Sequence, residues 1–431
     1  MTSKFGANEC YVYIALPGES QFVTAARFVL STDRVGVPLG QLVYGRSYLA
    51  RSNAVPIDPL DLKLSDRTYE TRLLKGVFGA LRDASPDYWG RRVIEKHSGK
   101  TTLSEVDYLL YSPDDRAGAL GFGLNADPPA PRRKFNQTID LERLQSLADS
   151  IIEEDEADRP AGEQARQVEE LLLLGTSMGG ARPKVVAEDE GSLWLAKFNR
   201  FDDRWNYARV EHAMLELARE CRIQSTESRL VTVGGRDVLL VRRFDRQPIH
   251  AGYRRARMLS GLTLLRVGDT LQDRDRWSYV LLVEELRRVS SQPKLDAPEL
   301  FRRMTFNALI SNIDDHPRNH AVIAMDTDFH LAPAYDLTPS TPVSLERRDL
   351  AMICGDEGRY ANASNLLSQC ARFLLTREDA TRVIDDTERT VKNRWYEVAR
   401  RCGVSEKDCH SISAAFAYEG FRLEHPERVA T

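Results

Sequence analysis

The chain has 431 residues, 42% of them hydrophobic, which is room for two or three ordinary domains with cores of their own. Its 60 basic side chains nearly balance 64 acidic ones, excluding a global attraction to nucleic acid or to an anionic membrane. No apolar run approaches the roughly 20 residues of a membrane span, and the opening MTSKFGANEC has no signal-peptide core. Six cysteines without a CxxC spacing fit reduced thiols better than a zinc site or a disulfide framework, so a soluble cytoplasmic protein is expected.

In chain order, β-branched and aromatic runs at Tyr11 to Leu16 and Gln21 to Leu30, punctuated by Pro17-Gly18 and Gly36-Val37-Pro38, predict a β-rich domain over residues 1–125. A helix is expected from Tyr69 to Leu81. Two compact blocks follow, Asp87-Tyr88-Trp89-Gly90-Arg91-Arg92 and Asp114-Asp115-Arg116-Ala117-Gly118-Ala119-Leu120, neither with a catalytic spacing. Residues 126–164 read as a connector with one helix, because Asp127-Pro128-Pro129-Ala130-Pro131 disfavours helix until Leu141 to Ile152. The acidic run Glu153 to Asp158 reads as solvated surface.

Residues 165–246 predict a helix and a glycine-containing turn, then a small sheet with one inserted helix. Its strands are Lys184 to Ala187 and Ser192 to Phe198, and a second hairpin joins Leu230 to Val233 with Val238 to Arg243 across Gly234-Gly235. Between them, Val210, Met214, Leu217, Ala218 and Cys221 form one apolar stripe of a helix from Tyr207 to Cys221. Residues 247–431 read as mainly helical, most clearly at Pro298 to Ile310 and Thr376 to Arg400, where Thr376 and Asp379 stand at capping-box spacing.

The most informative stretch is Ser311-Asn312-Ile313-Asp314-Asp315-His316-Pro317-Arg318-Asn319-His320. An Asp and an Asn five positions apart recur in phosphoryl-transfer loops, the Asp accepting the substrate hydroxyl proton and the Asn oxygen ligating magnesium; Asp314 and Asn319 have that spacing. An antiparallel hairpin from Ala321 to Ala332 is then expected to bring Asp336 back beside Asn319, giving Mg2+ two oxygen ligands. Lys197, on the face of its strand shared with Leu193 and Leu195, can supply a cation to nucleotide phosphates. Glu211 can hold that ammonium, although Glu216 and Glu220 lie on the same helix. The turn Gly175 to Lys184 could lay backbone amides against phosphates, but has neither a GxGxxG nor a Walker pattern. Asp314, His316 and His320 also match D-x-H-x3-H, a ligand set for a metal-dependent phosphoesterase, which leaves Lys197 and Asp336 without a role.

With these residues in view, the sequence resembles the HipA family of bacterial toxin kinases over nearly its whole length. The resemblance is carried by Tyr88-Trp89-Gly90-Arg91-Arg92, Asp115 to Leu120, Ser177-Met178-Gly179-Gly180-Ala181-Arg182-Pro183-Lys184, Arg243-Phe244-Asp245-Arg246, Asp314 to Asn319 and Tyr335-Asp336-Leu337. It implies an α+β, protein-kinase-like two-lobed fold: an N-terminal β-rich domain, a nucleotide-binding small lobe over 165–246 and a helical catalytic lobe over 247–431. It further implies an ATP- and Mg2+-dependent serine/threonine kinase with Asp314 as base, Asn319 and Asp336 on magnesium, and Lys197 on the phosphates. Glu211, His316, Gly179 and Gly180 join the nucleotide-binding set, and Arg243, Phe244 and Asp245 lie near the hinge against which adenine packs. Ser177 occupies the position of an autophosphorylation switch, where a phosphate of roughly −1.5 to −2 charges would repel ATP. The implied partners are a small helix-turn-helix antitoxin, DNA only through that antitoxin, and a protein substrate such as an aminoacyl-tRNA synthetase. A small-molecule phosphotransferase and a catalytically inactive scaffold in a DNA-bound complex are the alternatives.

Overall fold

The computed structural model describes residues 7–98, 102–130, 136–137, 141–146, 149, 182–250 and 252–423. The chain forms two compact units. One comprises Met1–Phe201, Val231–Leu259 and Ile323–Phe329, the other Asp202–Leu230, Ser260–Val322 and His330–Thr431.

In the first unit, β1 (Glu9–Ala15), β2 (Phe22–Thr32), β3 (Pro38–Tyr44), β4 (Tyr69–Thr71) and β5 (Leu120–Gly123) make an antiparallel sheet of order β4-β3-β2-β1-β5. Both faces of β1 are covered from Val12 onward, with Val12, Tyr13, Ile14 and Ala15 all buried. The expected helix from Tyr69 to Leu81 is not formed. Residues 69–71 pair with β3, a single 3-10 turn follows at Leu73–Gly76, and helix returns only at Gly79–Asp83. The local reason is backbone: Leu74, Lys75 and Gly76 all take left-handed φ, at 49°, 59° and 80°. A Cβ on Gly40 would lie 1.8 Å from the Gly76 carbonyl oxygen, so two strands of backbone touch where a helix would need side chains.

A second sheet joins β6 (Asn136–Gln137), β7 (Lys184–Asp189), β8 (Ser192–Phe198), β9 (Ser228–Val233) and β10 (Arg236–Arg242) in the order β6-β7-β8-β10-β9. Gly234 and Gly235 turn the last hairpin with φ of 54° and 76°, which only glycine adopts without strain. On one face Val185, Ala187, Trp194, Ala196, Phe198, Val238 and Leu240 share a core with Trp89, Val93 and Ile94 of α1 (Tyr88–Ser98), Tyr108 of α2 (Glu105–Tyr111) and Leu144 from the helical residues 141–146. The 87–92 block thus begins the helix that covers this sheet. Burying each large side chain here contributes about 1.5–3 kcal/mol.

The second unit is built on α3 (Tyr207–Glu220), α4 (Tyr279–Val289), α5 (Pro293–Leu309) and α6 (Arg377–Arg401). The expected stripe of α3 is its buried face, with Val210, Met214, Leu217 and Ala218 at 0% exposure. Glu220, at its end, accepts from Arg394 and Arg401 of α6 at 2.8 and 2.9 Å. Helix α5 starts five residues earlier than the sequence suggests, with Pro293 in the first turn and Pro298 inside it, where one backbone bond is forgone. Thr376 caps α6, its hydroxyl accepting from the Asp379 amide at 3.1 Å. Among the described residues, no helix is long and apolar enough to cross a membrane.

Candidate functional site

Helix α5 ends at Leu309, and Ser311, in the left-handed region at φ 54°, turns the chain into the loop. Arg348, buried at 3% exposure, clasps this turn: it donates to the Ser311 hydroxyl, to Ala415 O at 2.8 Å and to Ala414 O at 2.6 Å. Asn312 is tied to α5 through its amide nitrogen to Asn307 O (2.9 Å) and its side-chain Nδ2 to Asn307 Oδ1 (3.1 Å). The next carboxylates then diverge. Asp314 is open to solvent, whereas Asp315 is 1% exposed and accepts at Oδ2 from the Tyr279 hydroxyl and from His320 Nε2 at 2.8 Å.

A 3-10 turn at Pro317–Asn319 buries Asn319, whose amide donates to the His316 carbonyl at 2.9 Å. Strands β11 (Ala321–Ala324) and β12 (His330–Leu331) follow as expected, and Ala332 N donates to Ala321 O at 2.8 Å. The Tyr335 hydroxyl donates to the Arg318 carbonyl at 2.7 Å, so the residues immediately before Asn319 and Asp336 are bonded to one another. Asp336 itself sits at φ 59°.

Partial burial raises the Asp314 pKa above that of an ordinary aspartate. His316 opposes this rise, the carboxylates of Asp336 and Asp315 add to it, and Arg274 opposes it again. A carboxyl with a raised pKa beside a second carboxylate is a recurrent mark of acid–base sites. It is also a pair whose repulsion a divalent ion would relieve: the Asn319 amide and Asp336 carboxylate are hard oxygen donors of the kind Mg2+ takes, so the residues fit that ion. The D-x-H-x3-H alternative fares worse. His320 is turned inward onto Asp315 and lies 5.4 Å from the Tyr279 ring, and no cluster of three or more His, Cys, Asp or Glu able to hold a metal occurs among the described residues.

In the first unit, Lys197 of β8 is half-buried and stands in register opposite Leu239 and Lys184. Lys184 is itself buried and bridges Asp87 at 3.2 Å, while the other Asp87 oxygen caps α1 by accepting from Gly90 N at 2.7 Å. In the second unit, Glu211 of α3 is 6% exposed. The competing acids of that helix are held elsewhere, Glu216 by Arg219 and Glu220 by the α6 arginines.

Arg243 and Asp245 are buried and engaged with the 115–118 segment. Arg243 donates to both Asp245 oxygens (3.0 and 2.8 Å) and to the Asp115 carbonyl at 2.5 Å. Arg246 donates to Asp245 at 2.7 Å and to Arg116 O at 2.6 Å, and Gly118 N donates back to Asp245 at 2.9 Å. Burial alone would raise the Asp245 pKa, but the two guanidiniums and the amide hold it well below the usual carboxylate range. The Asp115 to Leu120 block, without assigned chemistry in the sequence, thus supplies the backbone carbonyls and the amide that complete this charge cluster. Ser177, Gly179 and Gly180 lie outside the described residues.

A family model described as the HipA-like C-terminal domain matches residues 176–395. A search of curated proteins returns no match. Among solved structures, the chain is similar to the HipA of Shewanella oneidensis MR-1, determined as a toxin–antitoxin complex of HipA, HipB and operator DNA. The TM-score is 0.66 at 16% identity, over 96% of this chain and all of that one, and this likeness gives the mixed α+β fold. A likeness to the Helicobacter pylori proinflammatory kinase CtkA, at TM-score 0.37 and 14% identity over 55% of this chain and 91% of that one, is too slight to argue from. Since the family match covers more than half of its residues, the chain belongs to the HipA-like C-terminal domain family.

Proposed function

We propose that this protein is an ATP- and magnesium-dependent serine/threonine protein kinase of the HipA kind. The observation that carries the reading is the Tyr335–Arg318 bond at the foot of the hairpin, which supports convergence of Asn319 and Asp336 near an accessible Asp314. In the proposed step the acceptor hydroxyl oxygen attacks the γ-phosphorus of ATP and its proton passes to the Asp314 carboxylate. The bond from the γ-phosphorus to the β–γ bridging oxygen breaks, and ADP leaves. Magnesium, when bound, would neutralise charge on the phosphates, with Asn319 and Asp336 proposed to hold it.

Lys197 is the proposed phosphate cation, Glu211 its carboxylate, and His316 a further nucleotide-side residue of the loop. Gly179 and Gly180 are assigned to the phosphate loop and Ser177 to autophosphorylation. Arg243, Phe244 and Asp245 are assigned to the hinge beside adenine; because the Arg and Asp charges are engaged internally, this block would contribute shape there and not charge. The domain limits proposed are 1–125, 126–164, 165–246 and 247–431. A small helix-turn-helix antitoxin is the proposed partner, with operator DNA reached only through it, on the strength of the complex in which the Shewanella HipA was solved. An aminoacyl-tRNA synthetase is the proposed class of target.

Incubation with γ-labelled ATP and Mg2+ tests the reading. Label is expected on the protein itself and on a protein acceptor, and its transfer is expected to fall by on the order of a hundredfold to ten-thousandfold in Asp314→Asn while nucleotide binding is retained. Label confined to added metabolites would move the assignment to a small-molecule phosphotransferase. No label at all would leave a scaffold.

A further inference from the structure

The loop that carries Asp314 is fastened by a buried polar chain that starts and ends within it. Asn312 Nδ2 donates to Asn307 Oδ1 at 3.1 Å, and Asn307 Nδ2 donates to the Tyr279 hydroxyl at 3.3 Å. That hydroxyl donates to Asp315 Oδ2, which also accepts from His320 Nε2 at 2.8 Å. Asn312 stands two residues before Asp314, Asp315 one after it, and His320 closes the loop. Their anchors, Tyr279 and Asn307, belong to α4 and α5. All five are at 3% exposure or less. Asp315 Oδ1 and His320 Nδ1 are buried and find no hydrogen-bond partner among the described residues, so the hold on the loop runs through Asp315 Oδ2, on which the Tyr279 hydroxyl and His320 Nε2 converge and which they fix in one arrangement.

We propose that Asp315, held by Tyr279 and His320, is the positioning residue of the reaction: it fixes the loop backbone so that Asp314 points outward at the acceptor hydroxyl. The inference rests on the kinase reading. Asp314 lies in a tight turn, with Asp315 N donating to Asn312 O at 3.4 Å and His316 N donating to Asp314 O at 2.8 Å, so pinning Asp315 inward constrains the backbone that carries Asp314. Asp315 touches neither acceptor nor nucleotide and acts only through its neighbour. Misplacing a reacting group by about 1 Å can lower a rate on the order of a hundredfold, so a loosened buckle is felt in turnover and not in ATP affinity.

The test uses the full chain, with γ-labelled ATP and Mg2+, in wild type, Tyr279→Phe, Asp314→Asn and the double variant. Tyr279→Phe removes only the hydroxyl. The expected result is a fall in kcat of about tenfold to a hundredfold with ATP Kd unchanged within about twofold, and a double variant no slower than Asp314→Asn alone. Wild-type turnover in Tyr279→Phe overturns the positioning role while leaving the kinase reading intact. So does an equal proportional loss in the Asp314→Asn background, which marks a general loss of folded protein. Absence of transfer in the wild type overturns both. If Tyr279→Phe does not fold, His320→Ala against His320→Gln reads the same question. The glutamine retains an N–H donor and is expected to recover most of the turnover lost in the alanine variant, and equal turnover of the two overturns the inference.

Discussion

Two charged blocks that look alike on paper, Arg243-Phe244-Asp245-Arg246 and Asp314-Asp315-His316-Pro317-Arg318-Asn319, hold their charges in different ways. In the first, every charge is buried and answered within a few ångströms, and Asp245 is driven far toward ionisation by its two arginines. In the second, one carboxylate is closed in the same manner, and its neighbour is left open with its pKa raised. A cluster satisfied internally stabilises the fold; a carboxylate held in place but still accessible can do chemistry. The local pattern of acids and bases does not distinguish them, and the depth at which each side chain sits does.

The sharpest break in that comparison is expected from Asp314→Asn. Transfer should fall by on the order of a hundredfold to ten-thousandfold while urea unfolding is unchanged, because an exposed carboxylate has little structural work. Asp245→Ala should instead be felt in stability, costing about 3–5 kcal/mol in urea titration by leaving two buried guanidiniums without their counter-charge. Its sign with pH follows from the depressed pKa: the contribution is present above the ordinary aspartate range and is lost as pH falls through and below it. A smaller effect is expected in the pH profile of transfer. A base must be ionised, so the acid limb should lie above the range of an unperturbed aspartate, and Arg274→Gln, by removing a cation that lowers the Asp314 pKa, should move that limb higher still. A limb that stays fixed in Arg274→Gln would remove Asp314 from the limb's assignment. The smallest effect should come from Thr376→Ala, about 1 kcal/mol in thermal or urea unfolding with transfer untouched, since the cap serves only α6.

Elements with a strong period or a forced turn were legible from the chain itself. The α3 stripe, the Gly234-Gly235 hairpin and the Thr376 cap depend on neighbours a few residues away, and they fall where spacing puts them. The stretch from Tyr69 to Leu81 has helical composition, but its course is decided by a distant glycine, Gly40, that lets backbone meet backbone. The ion pair of Asp87 with Lys184 joins residues 97 positions apart, and neither residue type announces a partner at that range. Within the loop that follows α5, the Asp-to-Asn spacing singles out Asp314 and Asn319. The inward role of Asp315 required Tyr279, 36 positions earlier, and left no local signal beyond two aspartates in succession.

The Arg348 clasp has a practical consequence for anyone trimming the protein. Its guanidinium finds oxygen acceptors at Ala414 and Ala415, and it holds the Ser311 hydroxyl from which the Asp314 loop departs. Cutting the polypeptide before those two alanines would strand a cation in the interior and loosen the loop at its root. A lesion at the carboxyl end would then register as a disorder of the Asp314 loop, far from where the knife fell.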